Sequence, residues 1–464
     1  MFDARIYSER RNRLKTQVGS GLVLLPGNDE SPMNYPANTY HFRQDSSFLY
    51  FFGLDQPGLA GVVDIDGDRD ILFGDDIGLE DVIWMGHLPT VKDRAALAGV
   101  GTTRPLAKLE AALKQAKTKR RKIHFLPPYR AEGARKLGAW LGIPAKDVKG
   151  KASQTLCRTV VAQRSVKIQE EIDEIEKALA VTHDMYRAAM AMTRPGIHEY
   201  EIMGRIEGIA LARGCRPAFP SIVTINGQVL HNHGYGNVLA EGRLLIDDSG
   251  AESPRGYASD ITRTIPVSGR FSPRQRDIYE IVLKALETAI RAVRPGIKYR
   301  EVHLEAAGVI ASGLKSLGLM KGDPEAAVQA GAHALFFPHG IGHMMGLDVH
   351  DMEDIGEGLV GYTEKLKRSS QFGLAYLRLA RELEPGFVAT VEPGIYFIPP
   401  LIDKWRKAGK FADFIDYDKV ETYRDFGGVR IEDNVLVTAD GRRVLGKPIP
   451  KTVVDVEAAT GTGA

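Results

Sequence analysis

The chain has 464 residues, with 61 Lys and Arg against 59 Asp and Glu and a formal net charge of +2. That balance lacks the basic excess needed to grip nucleic acid or an anionic membrane surface, so neither is expected as a partner. Hydrophobic residues at 44% and charged residues at 26% place the chain among folded proteins with a buried core, not among disordered ones. Two cysteines, Cys157 and Cys215, allow at most one bridge, which is no disulfide framework and points to a reducing cytoplasm. The opening MFDARIYSERRNRLK is charged and lacks the apolar stretch of a secretory signal, and no apolar run reaches the roughly 18 residues of a membrane span.

The first third alternates short apolar runs with turn chemistry. Residues 21–26, 47–53 and 60–65 read as strands, and the Asp-Gly-Asp-Arg-Asp stretch at 66–70 predicts a hairpin joining 62–65 to 71–73. Helices are expected over 4–17, 105–118 and 131–141, giving a mixed α/β unit. The basic run Lys117–Lys122 reads as a solvated helix end. From Lys167 the character changes: Ile168, Ile172, Ile175 and Leu179 open a long helical pattern, so a domain boundary is placed at 165/166. The second domain, 166–464, contains an internal echo. Thr193-Arg-Pro-Gly-Ile197 and Val293-Arg-Pro-Gly-Ile297 lie 100 residues apart, each preceded and followed by a helical stretch. A duplicated half-domain follows, with a cleft between two similar halves as the natural site.

The chemistry-bearing residues cluster in this second part. Strand, turn and strand over 243–267 carry Asp247 and Asp248 at the end of the first strand and Asp260 at the start of the second. His339-Gly-Ile-Gly-His343 has the i, i+4 spacing of a zinc helix but lacks its glutamate, and two glycines argue against a helix; His350 and Asp351 follow. Glu392 closes one run of β-formers, and Arg430 and Glu432 share one face of another. Four carboxylates and an imidazole are a hard, oxygen-rich ligand set suited to Mn²⁺, Co²⁺ or Zn²⁺. Two divalent ions would offset four negative charges and activate a water for hydrolysis.

The order Asp248, Asp260, His343, Glu392, Glu432, with Ala258-Ser-Asp-Ile-Thr-Arg-Thr264, Leu347-Asp-Val-His-Asp351, Thr390-Val-Glu-Pro-Gly-Ile-Tyr396 and Gly427-Gly-Val-Arg-Ile-Glu-Asp433, resembles the pita-bread-fold metallopeptidases. That group contains methionine aminopeptidase, aminopeptidase P and prolidase. Phe42-Arg-Gln-Asp45 and Trp84-Met-Gly86 extend the resemblance into the first domain. It implies an α/β N-terminal domain ahead of an α+β pita-bread catalytic domain with a pseudo-twofold repeat, and a dinuclear centre, commonly manganese. Asp260 and Glu432 would bridge both ions, Asp248 would complete one, and His343 with Glu392 the other. Asp248 is chosen because Asp-Ser-Gly fits the family's Asp-x-Gly; Asp247 is the alternate. The resemblance further implies that Glu392 handles the proton of the attacking water, that His231 and His350 act at the tetrahedral stage, and that His339 and Arg430 line the substrate side. Asn232 stands where the family usually has Tyr.

The extra N-terminal domain leaves prolidase and aminopeptidase P in contest. Residues 375–386, AYLRLARELEPG, resemble the prolidase loop whose arginine, here Arg378, pairs with the free carboxylate of a dipeptide. The expectation is therefore an Xaa-Pro dipeptidase acting on proline-containing dipeptides or short peptides, with aminopeptidase P as the alternative. The prolidase resemblance implies a homodimer. A metal-free binding module on the same fold is the alternative of another class.

Overall fold

A computed structural model describes residues 1–461. The chain divides into two compact units, one of residues 1–164 with Met352–Leu359, the other of Ser165–Asp351 with the chain from Val360 onward. Among the described residues, no helix is long and apolar enough to cross a membrane.

In the first unit, helix α1 (Ala4–Val18) precedes strand β1 (Leu22–Pro26), helix α2 (Ser46–Phe52), and the hairpin of β2 (Ala60–Asp64) and β3 (Arg69–Phe73). Strand β4 (Thr102–Arg104), helix α3 (Leu109–Thr118), strand β5 (Ile123–His124) and helix α4 (Ala131–Leu141) complete the sheet and the helices that cover it. The sheet order is β4-β3-β2-β1-β5, with β1 antiparallel to β2 and parallel to β5. Alternation along the strands sends Leu22, Leu24, Val62, Ile71 and Phe73 to one face, where Leu109, Leu113 and Ala116 of α3 and Leu137 and Leu141 of α4 cover them.

Residues 47–53 depart from expectation, because they form a helix instead of a strand. All seven residues of α2 are buried, so it is apolar all round and shows no period to distinguish it from a core strand. Its ends carry the information. The Asp45 carboxylate accepts from Phe48 N at 2.8 Å, and Gly53 closes the helix in the left-handed region. The buried guanidinium groups of Arg10 and Arg11 donate to the Tyr50 and Phe51 carbonyls at 3.0 and 2.7 Å, satisfying groups that the last turn leaves orphaned.

The second unit contains the repeat. Helices α5 (Gln169–Met192) and α6 (Glu199–Ala212) recur as α7 (Pro273–Ala292) and α8 (Tyr299–Ser316). Both Arg-Pro-Gly-Ile segments do the same work. Gly196 and Gly296 turn at φ +93° and +81°, which favours glycine. Gly196 N then donates to Leu239 O at 2.9 Å, and Leu239 N donates back to Ile197 O at 2.8 Å; Gly296, Leu383 and Ile297 repeat the pattern at 2.8 and 2.9 Å. Each half also supplies a three-stranded sheet. The first has order β8-β7-β6, from β6 (Ile222–Thr224), β7 (Leu244–Ser249) and β8 (Ile261–Pro266). The second has order β9-β12-β13, from β9 (Val388–Val391), β12 (Asp433–Val437) and β13 (Arg442–Val444), with a separate pair of β10 (Gly394–Tyr396) and β11 (Gly428–Arg430). The architecture is an α/β N-terminal domain followed by an α+β domain with an internal repeat.

Candidate metal centre

Each half presents two carboxylates from the adjoining ends of an antiparallel strand pair. In the β7–β8 pair Asp248 faces Thr262, and Asp260 directly precedes β8. In the β9–β12 pair Val391 faces Asp433, so Glu392 and Glu432 sit just beyond the paired ends. Arg430 and Glu432, expected on one continuous strand, lie on either side of a break, since β11 ends at Arg430 and β12 begins at Asp433. Hydrogen bonds tie the two halves together. Glu432 N donates to Thr262 O at 3.0 Å, the Thr262 hydroxyl donates to Glu432 Oε2 at 2.7 Å, and Asp260 N donates to Asn434 Oδ1 at 3.1 Å.

The pleat separates the two neighbouring aspartates. Asp248 lines the pocket, whereas Asp247 is wholly buried on the other face, takes the Ser249 hydroxyl at 2.9 Å and is pushed up to about 7 by burial. His343 enters on a loop, not a helix. A Cβ at Gly342 would meet Thr390 O at 2.1 Å, so only glycine lets this segment lie against β9. Two bonds fix it there, His343 N to Thr390 Oγ1 at 3.1 Å and Thr390 N to His343 O at 3.0 Å. The His343 Nδ1 lies 3.1 Å from Met344 O, and a carbonyl can only accept. The proton is therefore on Nδ1, and Nε2 turns its lone pair toward Asp260 Oδ2 at 3.5 Å and Glu392 Oε1 at 3.7 Å.

Donor atoms of Asp260, His343 and Glu432 all lie within 4.8 Å of one another. Asp248 Oδ1, Asp260 Oδ1 and Glu432 Oε1 are buried without a hydrogen-bond partner. Orphaned buried carboxylate oxygens facing one another are costly, and a divalent cation removes that cost, so this donor set fits one. The same crowding shows in the protonation equilibria. Burial, then the neighbouring carboxylates, hold Asp260 and Glu432 well above the usual carboxylate range and push Glu392 up to about 8.

Arg430 supplies the interior counter-charge. Its guanidinium donates to Asp248 Oδ2 at 2.6 Å, Tyr396 Oη at 2.9 Å and Thr262 Oγ1 at 3.2 Å. Because Arg430 donates to the Tyr396 oxygen, the phenol proton is available to His339 Nε2 at 2.9 Å, while His339 Nδ1 donates to Gly340 O at 2.8 Å. His339 thus lines the pocket as a neutral ring with both nitrogens engaged, its pKa pushed down to about 3 by burial and Arg430. His350 packs edge-on to His343 with ring centroids 4.2 Å apart. His231 sits at the pocket's rim, its pKa lowered by the surrounding protein and by Arg430. Arg378 lies outside any helix, half-buried, and its charge acts on His231, His339 and Glu392. A pocket of about 640 Å³ is lined by His231, Asp248, Asp260, His339, His343, His350, Arg378, Glu392, Arg430 and Glu432 together. A larger cleft of about 1430 Å³ along α7 and α8 holds none of them, and convergent chemistry, not size, marks the candidate site.

Sequence reasoning missed Tyr396, Thr262, Thr390 and Asn434. The last three stand two residues from Asp260, Glu392 and Glu432, the same-face spacing of extended chain, and that offset was the available clue. Asn232, the departure from the family pattern, is used locally: it donates to Thr224 Oγ1 at 2.9 Å and accepts from Gly234 N at 2.9 Å.

Paired carboxylates from two repeated halves, closing with a histidine on one pocket, define a metallohydrolase of the pita-bread class. The chain belongs to metallopeptidase family M24, which residues 173–439 match, while residues 7–124 match the aminopeptidase P N-terminal domain. Human Xaa-Pro dipeptidase is 30% identical over 470 residues, covering 98% of this chain and 91% of the human protein. A probable Xaa-Pro aminopeptidase of Botryotinia fuckeliana is 34% identical over 423 residues, covering 90% of this chain and 86% of the fungal one. Among solved structures, proline aminopeptidase P II from Yersinia pestis superposes with a TM-score of 0.81 at 30% identity over 99% of each chain. Zinc-substituted aminopeptidase P from E. coli, in complex with product, gives 0.80 at 29% identity over 99% of this chain and 98% of that one.

Proposed function

We propose that this M24 metallopeptidase is an Xaa-Pro dipeptidase with two divalent ions, manganese in the native enzyme, held by Asp248, Asp260, His343, Glu392 and Glu432. Asp260 and Glu432 would each help to hold both ions. The four carboxylates carry four negative charges, which two divalent ions would offset. When bound, such ions lower the pKa of a water and stabilise the negative charge that develops on the scissile carbonyl oxygen. The chain's own residues do the rest. Glu392 takes and returns the proton at its carboxylate, within 3.7 Å of His343 Nε2. His231 and His350 stand at the pocket to donate to the tetrahedral oxygen and the leaving nitrogen. Arg430 fixes Asp248 and, through Tyr396, keeps His339 neutral and oriented. We assign the protein to the cytoplasm and, by likeness to prolidases, to a homodimer.

The observation that carries the dipeptide reading is Arg378, in the same pocket as the carboxylates. Its guanidinium fork suits the free carboxylate that ends a dipeptide and is displaced in a longer peptide. A second reading, aminopeptidase P, is favoured by the match of residues 7–124 and by the Yersinia pestis superposition. The two separate on kcat/KM for Ala-Pro against Ala-Pro-Ala with one manganese-loaded preparation. A dipeptidase prefers Ala-Pro, and Arg378→Ala is expected to cut that preference about 10- to 100-fold, mainly through KM, without loss of bound metal. Preference for Ala-Pro-Ala, or unchanged Ala-Pro kinetics in the variant, would give the site to the second reading.

A further inference from the structure

We infer that Lys167 is a positioning residue for His350, acting through a buried ion pair with Asp351; the inference rests on the role given to His350 above. Lys167 Nζ meets Asp351 Oδ2 at 2.9 Å, and each side chain is 1% exposed. A pair this deeply buried differs from a surface salt bridge, because removing one charge takes a close counter-charge from the other where water cannot replace it.

The pair closes the loop that carries two of the site's histidines. Asp351 Oδ1 accepts from Asp348 N at 3.3 Å, and Asp351 N donates to Met344 O at 2.9 Å, so residues 344–351 form a closed turn with His343 entering it and His350 leaving it. The loop is fastened to the strands on one side by Met345 N to Val388 O at 3.0 Å, and to the segment before Asp260 by Ala258 N to Gly346 O at 2.9 Å. Lys167 is fixed at its own backbone by Lys167 N to Gly386 O at 2.9 Å. The space is shaped for the pair. A Cβ at Gly346 would meet Asp351 Oδ2 at 2.6 Å and Lys167 Cε at 2.9 Å, so any side chain there separates the two charges. His350 adjoins Asp351 in the chain, and its ring rests on that of His343 at 4.2 Å. Without the ammonium, the Asp351 carboxylate loses a buried counter-charge and shifts, and the adjoining His350 shifts with it, while His343 stays held by Thr390.

The test is a double-mutant cycle on the manganese-loaded enzyme, using whichever of Ala-Pro and Ala-Pro-Ala it cleaves faster. Lys167→Met is expected to lower kcat about 10- to 100-fold with KM and bound manganese within about twofold of the parent. In a His350→Ala background the same substitution is expected to cost less than about threefold, because the residue it positions is already gone. Gly346→Ala keeps both charges while pushing them apart, and is expected to repeat the kcat loss and its disappearance in the His350→Ala background. Equal losses in both backgrounds, or parental kcat in both Lys167→Met and Gly346→Ala, would overturn the inference. Parental kcat in His350→Ala alone would instead show that the role of His350 had failed, and the inference with it.

Discussion

Asp260→Ala is expected to lower kcat/KM by about a thousandfold or more and to release bound metal, with Glu432→Ala behaving alike. Asp260 sits where the three converging donors meet, and its Oδ1 has no other partner. Asp248 is different, because Arg430 holds it at 2.6 Å whether or not a cation is present. The substitution should not harm folding. The backbone of Asp260 stays bonded to Asn434, and removing a buried carboxylate from among others relieves repulsion. Calorimetry of metal-stripped samples should find Asp260→Ala melting at or above the parent, and metal should raise the Tm of the parent alone. A near-parental rate in Asp260→Ala would contradict the metal-ligand role proposed for Asp260.

Metal stabilisation should grow with pH, and the sign follows from the carboxylates. Glu392, pushed up to about 8, keeps its proton in the metal-free fold where an unfolded glutamate, at about 4.3, has lost it. The folded state then binds more protons than the unfolded one across that interval, so the metal-free protein loses stability as pH rises toward about 8. Asp260 and Glu432 shift in the same direction and add to the slope. A cation takes the place of those protons and cancels the loss, so its apparent affinity rises with pH. Tm measured with and without manganese from about pH 5 to pH 8 should show a widening gap. A gap that stays constant or narrows would mean that these carboxylates do not bind the ion.

The sequence made the centre legible because each proposed ligand stands at a strand end or in a glycine-rich loop, where a charged residue among β-formers is conspicuous. The repeat was legible for a similar reason: Arg-Pro-Gly-Ile stops a helix, turns and pairs by local chemistry alone. The helix at 46–52 was not, since a segment buried on every side has no period, and only Asp45 and Gly53 betray it. Nor were the long-range partners. Arg10 and Arg11 close that helix from 40 residues away, and Lys167 meets Asp351 across 184 residues, pairings that spacing does not encode. The sequence favours Asp248 over Asp247 only through the Asp-Ser-Gly resemblance, and the pleat supplies a physical reason. Register puts Asp248 opposite Thr262 and Asp247 opposite Arg263, on opposite faces of β7.

The most direct test is to strip the protein of metal and follow Ala-Pro hydrolysis as manganese is added back. The predicted result is no turnover in the stripped protein and a rate that rises and saturates at about two ions per chain, the number that offsets four carboxylates. Full activity in the stripped protein, or no hydrolysis at any manganese concentration, would contradict a metal-dependent Xaa-Pro dipeptidase.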